Sequence, residues 1–257
     1  MNKIVVTCFY LVDPKPGRSH VLYKEWFLNL LNSLTCNIIV FTDESSKKYL
    51  DSSNDKIIFI DLPFEELYYF KNYGLDFWIE QEKIDPNKNR SWKLGLLYNE
   101  KCKFIEKAIK LYPKINWFVW CDIGCFRDKL DLNFPIISHL NDDKMTLLQI
   151  KKFKSKELKP GYIFHPEQQE RLGGGVQIAT KKTWEKWISL YDTVFNTYIK
   201  NSSVNCDQGL LSTLALENKE LVNLIPSRKT KITKSRWFYL LEYCSNKYKK
   251  RKSIWWF

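Results

Sequence analysis

Little in this chain serves to bend, cross-link or anchor it. Of 257 residues, nine are Gly and nine are Pro, and no stretch has the composition of a flexible linker. Three histidines, His20, His139 and His165, lie far apart in sequence. The cysteines number seven, an odd count, and none are spaced Cys-x-x-Cys. Neither a structural zinc site nor a full disulfide framework follows from that pattern. Most of the thiols sit in apolar runs, where Cys acts as a small core residue, and a reducing compartment is expected. No apolar run approaches the roughly 18 residues that mark a membrane-spanning helix. The apolar residues 4–12 lack a small-residue cleavage site and run into Asp13-Pro14, so they read as a first core strand rather than a signal peptide. No Gly-x-Gly-x-x-Gly follows that strand, and no Gly-x4-Gly-Lys-Ser/Thr occurs, which argues against a dinucleotide-binding dehydrogenase and a P-loop enzyme. An Asp-x-Asp at the first strand end, which a phosphotransferase of the haloacid-dehalogenase type would need, is also missing.

What the chain does have is apolar and aromatic surface. Hydrophobic residues make up 44% and aromatics 16%, enough for a sizeable core in a chain whose length suits one large domain. The net charge is +12, and it is unevenly placed. From Arg228 to the end there are ten Lys or Arg against one acid, Glu242, whereas the first 227 residues are close to balanced. A nearly neutral body argues against a nucleic-acid groove across it. We divide the chain into a single domain at 1–227 and a basic, aromatic tail at 228–257.

Short β-branched and aromatic runs alternate with helical periodicities. Strands are predicted near 3–11, 37–41, 56–60, 116–121, 146–150, 176–179 and 221–225, and helices over 20–34, 91–111, 182–199 and 207–216. This alternation predicts an α/β sandwich with a mostly parallel central sheet. Residues 151–171 show no period and are Lys-rich, and read as a lid or an acceptor-side loop.

Four early strands finish at an aspartate: Asp13, Asp43, Asp61 and Asp122. Ligands of open α/β sheets bind outside the carboxyl ends of the strands. Asp13 and Asp61 read as ordinary turn residues; for Asp43, donor binding and a turn role are equally open. Asp122 differs. It follows Trp117-Phe118-Val119-Trp120-Cys121, the most apolar strand, and precedes Ile123-Gly124. An ionised carboxylate there must be paired or bound to a cation. A salt bridge to Arg127 is the structural alternative.

The run from Trp117 to Gly124 resembles the strand and metal motif of GT-A glycosyltransferases, and most of all the bacterial HtrL/YibB-type family. The resemblance also takes in Arg18 after the opening strand, Asn99-Glu100-Lys101, Gly173-Gly174-Gly175 and Asp207-Gln208, and spans roughly residues 3–225. It implies a GT-A-like three-layer sandwich that moves a sugar from a nucleotide-sugar donor to a glycan or lipid-linked glycan acceptor. It implies that Asp122 holds Mn²⁺ or Mg²⁺ against the donor diphosphate, although Gly124 stands where such motifs carry a second carboxylate. Arg18, Lys93 and Lys101 are then candidate phosphate ligands, with Asp43 on the donor side. Gly173, Gly174, Gly175 and Gln208 fall on the acceptor side. Asp207 falls where such enzymes place a carboxylate near the acceptor hydroxyl, as general base or as ligand; plain helix capping is its structural alternative.

The tail carries Lys247, Lys249, Lys250, Arg251 and Lys252 ahead of Ile254-Trp255-Trp256-Phe257. Basic residues beside Trp and Phe suit an anionic membrane surface, so the protein is expected in the cytoplasm, peripheral at the inner membrane face. The rival expectation is a non-catalytic glycan- or nucleic-acid-binding protein on the same fold.

Overall fold

A computed structural model describes residues 2–50, 53–165 and 170–248. Seven strands form one sheet in the order β3-β2-β1-β4-β6-β5-β7. They are β1 (Lys3–Cys8), β2 (Ile38–Thr42), β3 (Ile57–Asp61), β4 (Trp117–Cys121), β5 (Met145–Gln149), β6 (Leu172–Thr180) and β7 (Val222–Pro226). Every pairing is parallel except those of β6, which runs antiparallel to both β4 and β5. The chain is therefore an α/β fold on a mixed sheet. Its single reversal puts the first residues of β6 beside the last residues of its neighbours: Cys121 faces Val176, and Leu148 faces Gly173. The three glycines predicted to precede the sixth strand lie inside it.

Helices cover both faces. Alternate strand residues point to opposite sides, and they divide the core in two. Ile4, Val6, Phe41, Phe118 and Trp120 pack with α3 (Tyr68–Ile84), α4 (Trp92–Leu111), α5 (Lys181–Asn201) and α6 (Asp207–Glu217). Val5, Val40, Trp117, Val119 and Ile178 pack with α1 (His20–Ser33) and α7 (Tyr239–Tyr243). A short α2 (Glu44–Leu50) follows β2. Tyr239, Leu240, Leu241 and Cys244 are buried, so the basic stretch after residue 227, exposed at its start, packs into the core further along. Its end, Lys249 to Phe257, lies outside the described residues, as does the membrane expectation attached to it. Among the described residues, no helix is long and apolar enough to cross a membrane.

Three helices, α2, α3 and α7, have no counterpart in the sequence periodicity. Asp43 begins α2: its carboxylate accepts the Ser46 N–H and the Ser45 hydroxyl, both at 2.7 Å. Helix α3 is interrupted at Gly74, which sits at φ +77°, so no continuous apolar stripe runs along it. Its start is capped from far away in sequence, by the buried Glu100 carboxylate, which accepts the Tyr68 and Tyr69 N–H groups. Burial pushes the Glu100 carboxyl up to about 7, against the pull of those two N–H bonds.

The irregular segment after β5 is tied down in its described parts, 151–165 and 170–171; residues 166–169 lie outside the described residues. The Arg171 guanidinium donates two 2.7 Å bonds to Glu157, and Phe164 is buried with its N–H on the Tyr198 hydroxyl. None of residues 151–165 lines the cavity at the carboxyl ends of β1 and β4.

Gly95 makes a specific prediction for this fold. A Cβ there would stand 1.7 Å from Asn205 Oδ1, and Asn205 is fixed by bonds to Asp85 and the Arg90 carbonyl. Helix propensity alone would favour Gly95→Ala by about 1 kcal/mol. Overpacking of this kind costs about 1–3 kcal/mol, so urea denaturation should show a net loss of stability. A stabilised variant would contradict the close packing of α4 on residue 205.

The Glu157–Arg171 pair predicts a pH effect. The Arg171 bonds hold the Glu157 carboxyl below its usual range, against a smaller effect of burial. A depressed carboxylate stabilises the fold above its unfolded pKa of about 4.3 and loses that contribution as pH falls through the lower folded value. Glu157→Gln should therefore be clearly less stable than wild type at pH 7, with the gap closing below about pH 4. A gap that is constant between pH 7 and pH 3 would rule this out.

Candidate functional site

The carboxyl ends of β1 and β4 open into a cavity of about 500 Å³, within the range of small-molecule sites. Its lining includes Arg18, Lys101, Asp122, Gly173, Gly174, Gly175, Asp207 and Gln208. Eight of the ten residues singled out from sequence thus converge, from five separate segments. Asp43 and Lys93 do not join them. Asp43 is engaged in capping α2, and Lys93 lies over the Trp92 ring, its Nζ 5.7 Å from the centroid.

The centre of the site is an ammonium between two carboxylates. Lys101 projects from α4 with its side chain only 5% exposed. Its Nζ lies 2.9 Å from Asp207 Oδ2, 3.3 Å from the Asp122 carboxylate and 3.0 Å from the Gly174 carbonyl oxygen. An ammonium has three N–H donors, and these partners account for all of them. The role of phosphate ligand expected of Lys101 is therefore taken by internal partners. Burial disfavours its charge, but Asp122 and then Asp207 outweigh that and hold its pKa above the ordinary lysine value. Lys101 is a fixed cation.

Asp122 is placed by its own strand. Its N–H donates to the Gly175 carbonyl at 2.7 Å, continuing the β4–β6 ladder one residue past the strand. The Trp120 indole N–H, on the same face two residues earlier, donates to Oδ1 at 2.7 Å. Burial pushes the Asp122 carboxyl above the usual range; Lys101 opposes this and Asp207 adds to it. The side chain remains 33% exposed, whereas Asp207 is 6% exposed. Of the two acids, Asp122 is the one open to the cavity. Arg127, the alternative partner considered from sequence, goes elsewhere: its Nε donates to the Gly124 carbonyl at 3.1 Å.

The glycines make room for Asp207 and Cys125. A Cβ on Gly174 would stand 2.4 Å from Asp207 Oδ2, and one on Gly175 would stand 2.9 Å from Cys125 Sγ and 3.5 Å from Asp122 Oδ2. Gln208 secures the start of α6 to β6, donating to the Leu172 carbonyl at 3.1 Å. All seven cysteines are free; Cys8, Cys125 and Cys206 line the cavity. Burial raises the Cys8 and Cys206 thiols above the ordinary range, so they are poor nucleophiles.

The lining can be compared with what a divalent cation needs. Among the described residues, no group of three or more His, Cys, Asp or Glu side chains could hold a metal. One carboxylate, that of Asp122, offers lone pairs on its open side. A Mg²⁺- or Mn²⁺-type ion held there would have to take its remaining oxygen ligands from water and a bound phosphate.

Comparison with known proteins adds a family. A family model described as a bacterial protein of unknown function, HtrL_YibB, matches residues 12–243. The chain belongs to that family. A search of curated proteins finds no match to it.

The lysine bridge predicts a large stability effect. Lys101→Met would leave two acids together without their counter-charge, and breaking a buried pair this way costs about 3–5 kcal/mol. Chemical denaturation should show that loss. Adding Asp207→Asn to Lys101→Met should recover at least about 1 kcal/mol of it. If the two substitutions instead destabilise additively, the bridge is not the interaction holding the site.

Proposed function

We propose that this member of the HtrL/YibB family is a glycosyltransferase of GT-A type, taking a sugar from a nucleotide-sugar donor. The observation that carries this reading is the pair of acids held by Lys101 at the strand ends, inside a cavity whose other charged groups are cationic. The lining holds five Lys or Arg side chains against two carboxylates. A donor with a diphosphate is anionic where it leaves and electron-poor at the sugar carbon being transferred. A lining with both signs of charge suits those two ends.

In the proposed transfer, an acceptor hydroxyl oxygen bonds to the anomeric carbon as the bond from that carbon to the phosphate oxygen breaks. The electron pair leaves with the nucleoside diphosphate, and the proton of the acceptor hydroxyl passes to a departing diphosphate oxygen or to water. Asp122 is the carboxylate that reaches the cavity, so it touches the donor. Asp207 acts through Lys101 as a positioning residue: it holds the ammonium that orients Asp122. Mn²⁺ or Mg²⁺ arriving with the donor would be held by Asp122 and would supply further positive charge at the leaving diphosphate. Gly174, Gly175 and Gln208 border the space left for an acceptor sugar. A glycan or lipid-linked glycan is the acceptor class this reading proposes, with the protein in the cytoplasm at the inner membrane face.

The test is differential scanning with UDP- and GDP-sugars, each with and without Mn²⁺, followed by a hydrolysis screen over the same panel. A rise in melting temperature with the right donor is expected, together with slow release of nucleoside diphosphate. Asp122→Asn keeps the shape and should lower that release about 100-fold or more. Full turnover by a folded Asp122→Asn protein would sink the mechanism. Tight DNA binding with no nucleotide effect would favour a nucleic-acid-binding protein instead.

A further inference from the structure

Besides Asp122, Lys101 and Asp207, the cavity is lined by further cations. Lys15, Arg18 and Arg127 all border it, and among the described residues none of the three forms an ion pair. Local sequence explains two of them. Residues 15–18 read Lys-Pro-Gly-Arg, and the Arg18 N–H donates to the Lys15 carbonyl at 3.0 Å, with Gly17 at φ +76°. Pro at the second position and Gly with positive φ at the third fit a type II turn, which brings its first and fourth residues within about 7 Å of each other. The turn thus sets Lys15 and Arg18 together. Arg127 comes from a different segment, just after the 3-10 turn Ile123–Cys125.

Trp26 on α1 joins the two segments. The Arg18 guanidinium carbon lies 6.0 Å from the Trp26 ring centroid and that of Arg127 lies 5.2 Å from it. Arg127 also lies 4.9 Å from the Phe238 ring, and Lys15 Nζ lies 5.1 Å from the Tyr98 ring. Aromatic faces hold these cations in place through their π-electrons while using none of their N–H donors. Each guanidinium has five N–H groups. Among the described residues, Arg18 uses one on the Tyr23 hydroxyl, at 3.2 Å, and Arg127 one on the Gly124 carbonyl. Gathering like charges this way is unfavourable without an anion. Burial and then Arg18 lower the pKa of Arg127; for Lys15, too, burial is the largest effect and Arg18 adds to it.

We propose that Lys15, Arg18 and Arg127 form a clamp for a diphosphate. Two guanidinium forks can each meet a phosphoryl group in bidentate fashion, and three cations match a ligand whose negative charges are spread over adjacent phosphates. A single carboxylate would leave most of that charge unanswered. The clamp rests on the same cavity as the proposed transferase but not on the transfer step. Two sources share its chemistry: the diphosphate of a nucleotide-sugar donor and that of an isoprenoid lipid carrier.

Isothermal titration of the full chain with inorganic pyrophosphate tests the clamp directly, with UDP, GDP and farnesyl diphosphate as competitors. Pyrophosphate should bind one to one. Arg18→Met and Arg127→Met should each weaken it about 10-fold or more, the value of one charge-assisted contact. Arg127→Lys keeps the charge but not the fork, and should fall between Arg127→Met and wild type; it supplies the comparison should the Met variant fail to fold. Competition by UDP or GDP assigns the clamp to the donor. Competition by farnesyl diphosphate alone assigns it to a lipid-linked substrate and overturns the donor-site reading while the clamp stands. Pyrophosphate binding without turnover of any nucleotide sugar likewise removes the transferase and keeps the clamp. No pyrophosphate binding, or arginine variants that bind it as wild type does, would overturn the clamp.

Discussion

One ammonium group joins four parts of this chain. Lys101 reaches from the middle of α4 to Asp122 after β4, to the Gly174 carbonyl in β6 and to Asp207 at the start of α6. A charge so thoroughly buried is tolerable only when all its donors are matched. The surrounding features follow from that requirement. Gly174 carries no side chain because Asp207 fills the space a Cβ would need, and at Gly175 that space is taken by Cys125 Sγ. Trp120 is oriented so that its N–H steadies Asp122 from its other side.

The reversed strand makes the convergence possible. In a wholly parallel sheet, the start of the sixth strand would lie at the far edge from the carboxyl ends. Because β6 runs the other way, its glycine-rich beginning reaches the cavity. The same edge receives the Pro-Gly turn after β1, which delivers Lys15 and Arg18, and the segment after β4, which delivers Asp122 and Arg127. The result is a cavity lined both by acids fixed on Lys101 and by cations backed by aromatic rings.

Much of this was legible beforehand, for identifiable reasons. The strands announced themselves as short apolar runs, and the seven predicted all form. Asp122 stood out because an aspartate after five buried residues requires a partner. Arg18, Lys101, the glycines, Asp207 and Gln208 were picked out by resemblance and do meet at one site. Asp43 and Lys93 do not, since an aspartate at a strand end is as well suited to starting a helix as to binding a ligand. Lys101 lines the cavity, but its partners are not legible beforehand: a lysine that binds phosphate and one that bridges two acids look the same in sequence.

The remainder was settled only by folding. Helix α3 is interrupted at Gly74 and capped by Glu100, a residue more than thirty positions away, so no local periodicity reveals it. Trp26 and Arg127 are a hundred residues apart and meet only because α1 packs against the turn after β4. The chain by itself determines which segments are apolar enough to become strands and where a carboxylate must be paired, because burial costs are local properties of each segment. Which partner each charge takes depends on strand order and direction. Those are decided by how the whole sheet closes its core, and only the tertiary structure carries that information.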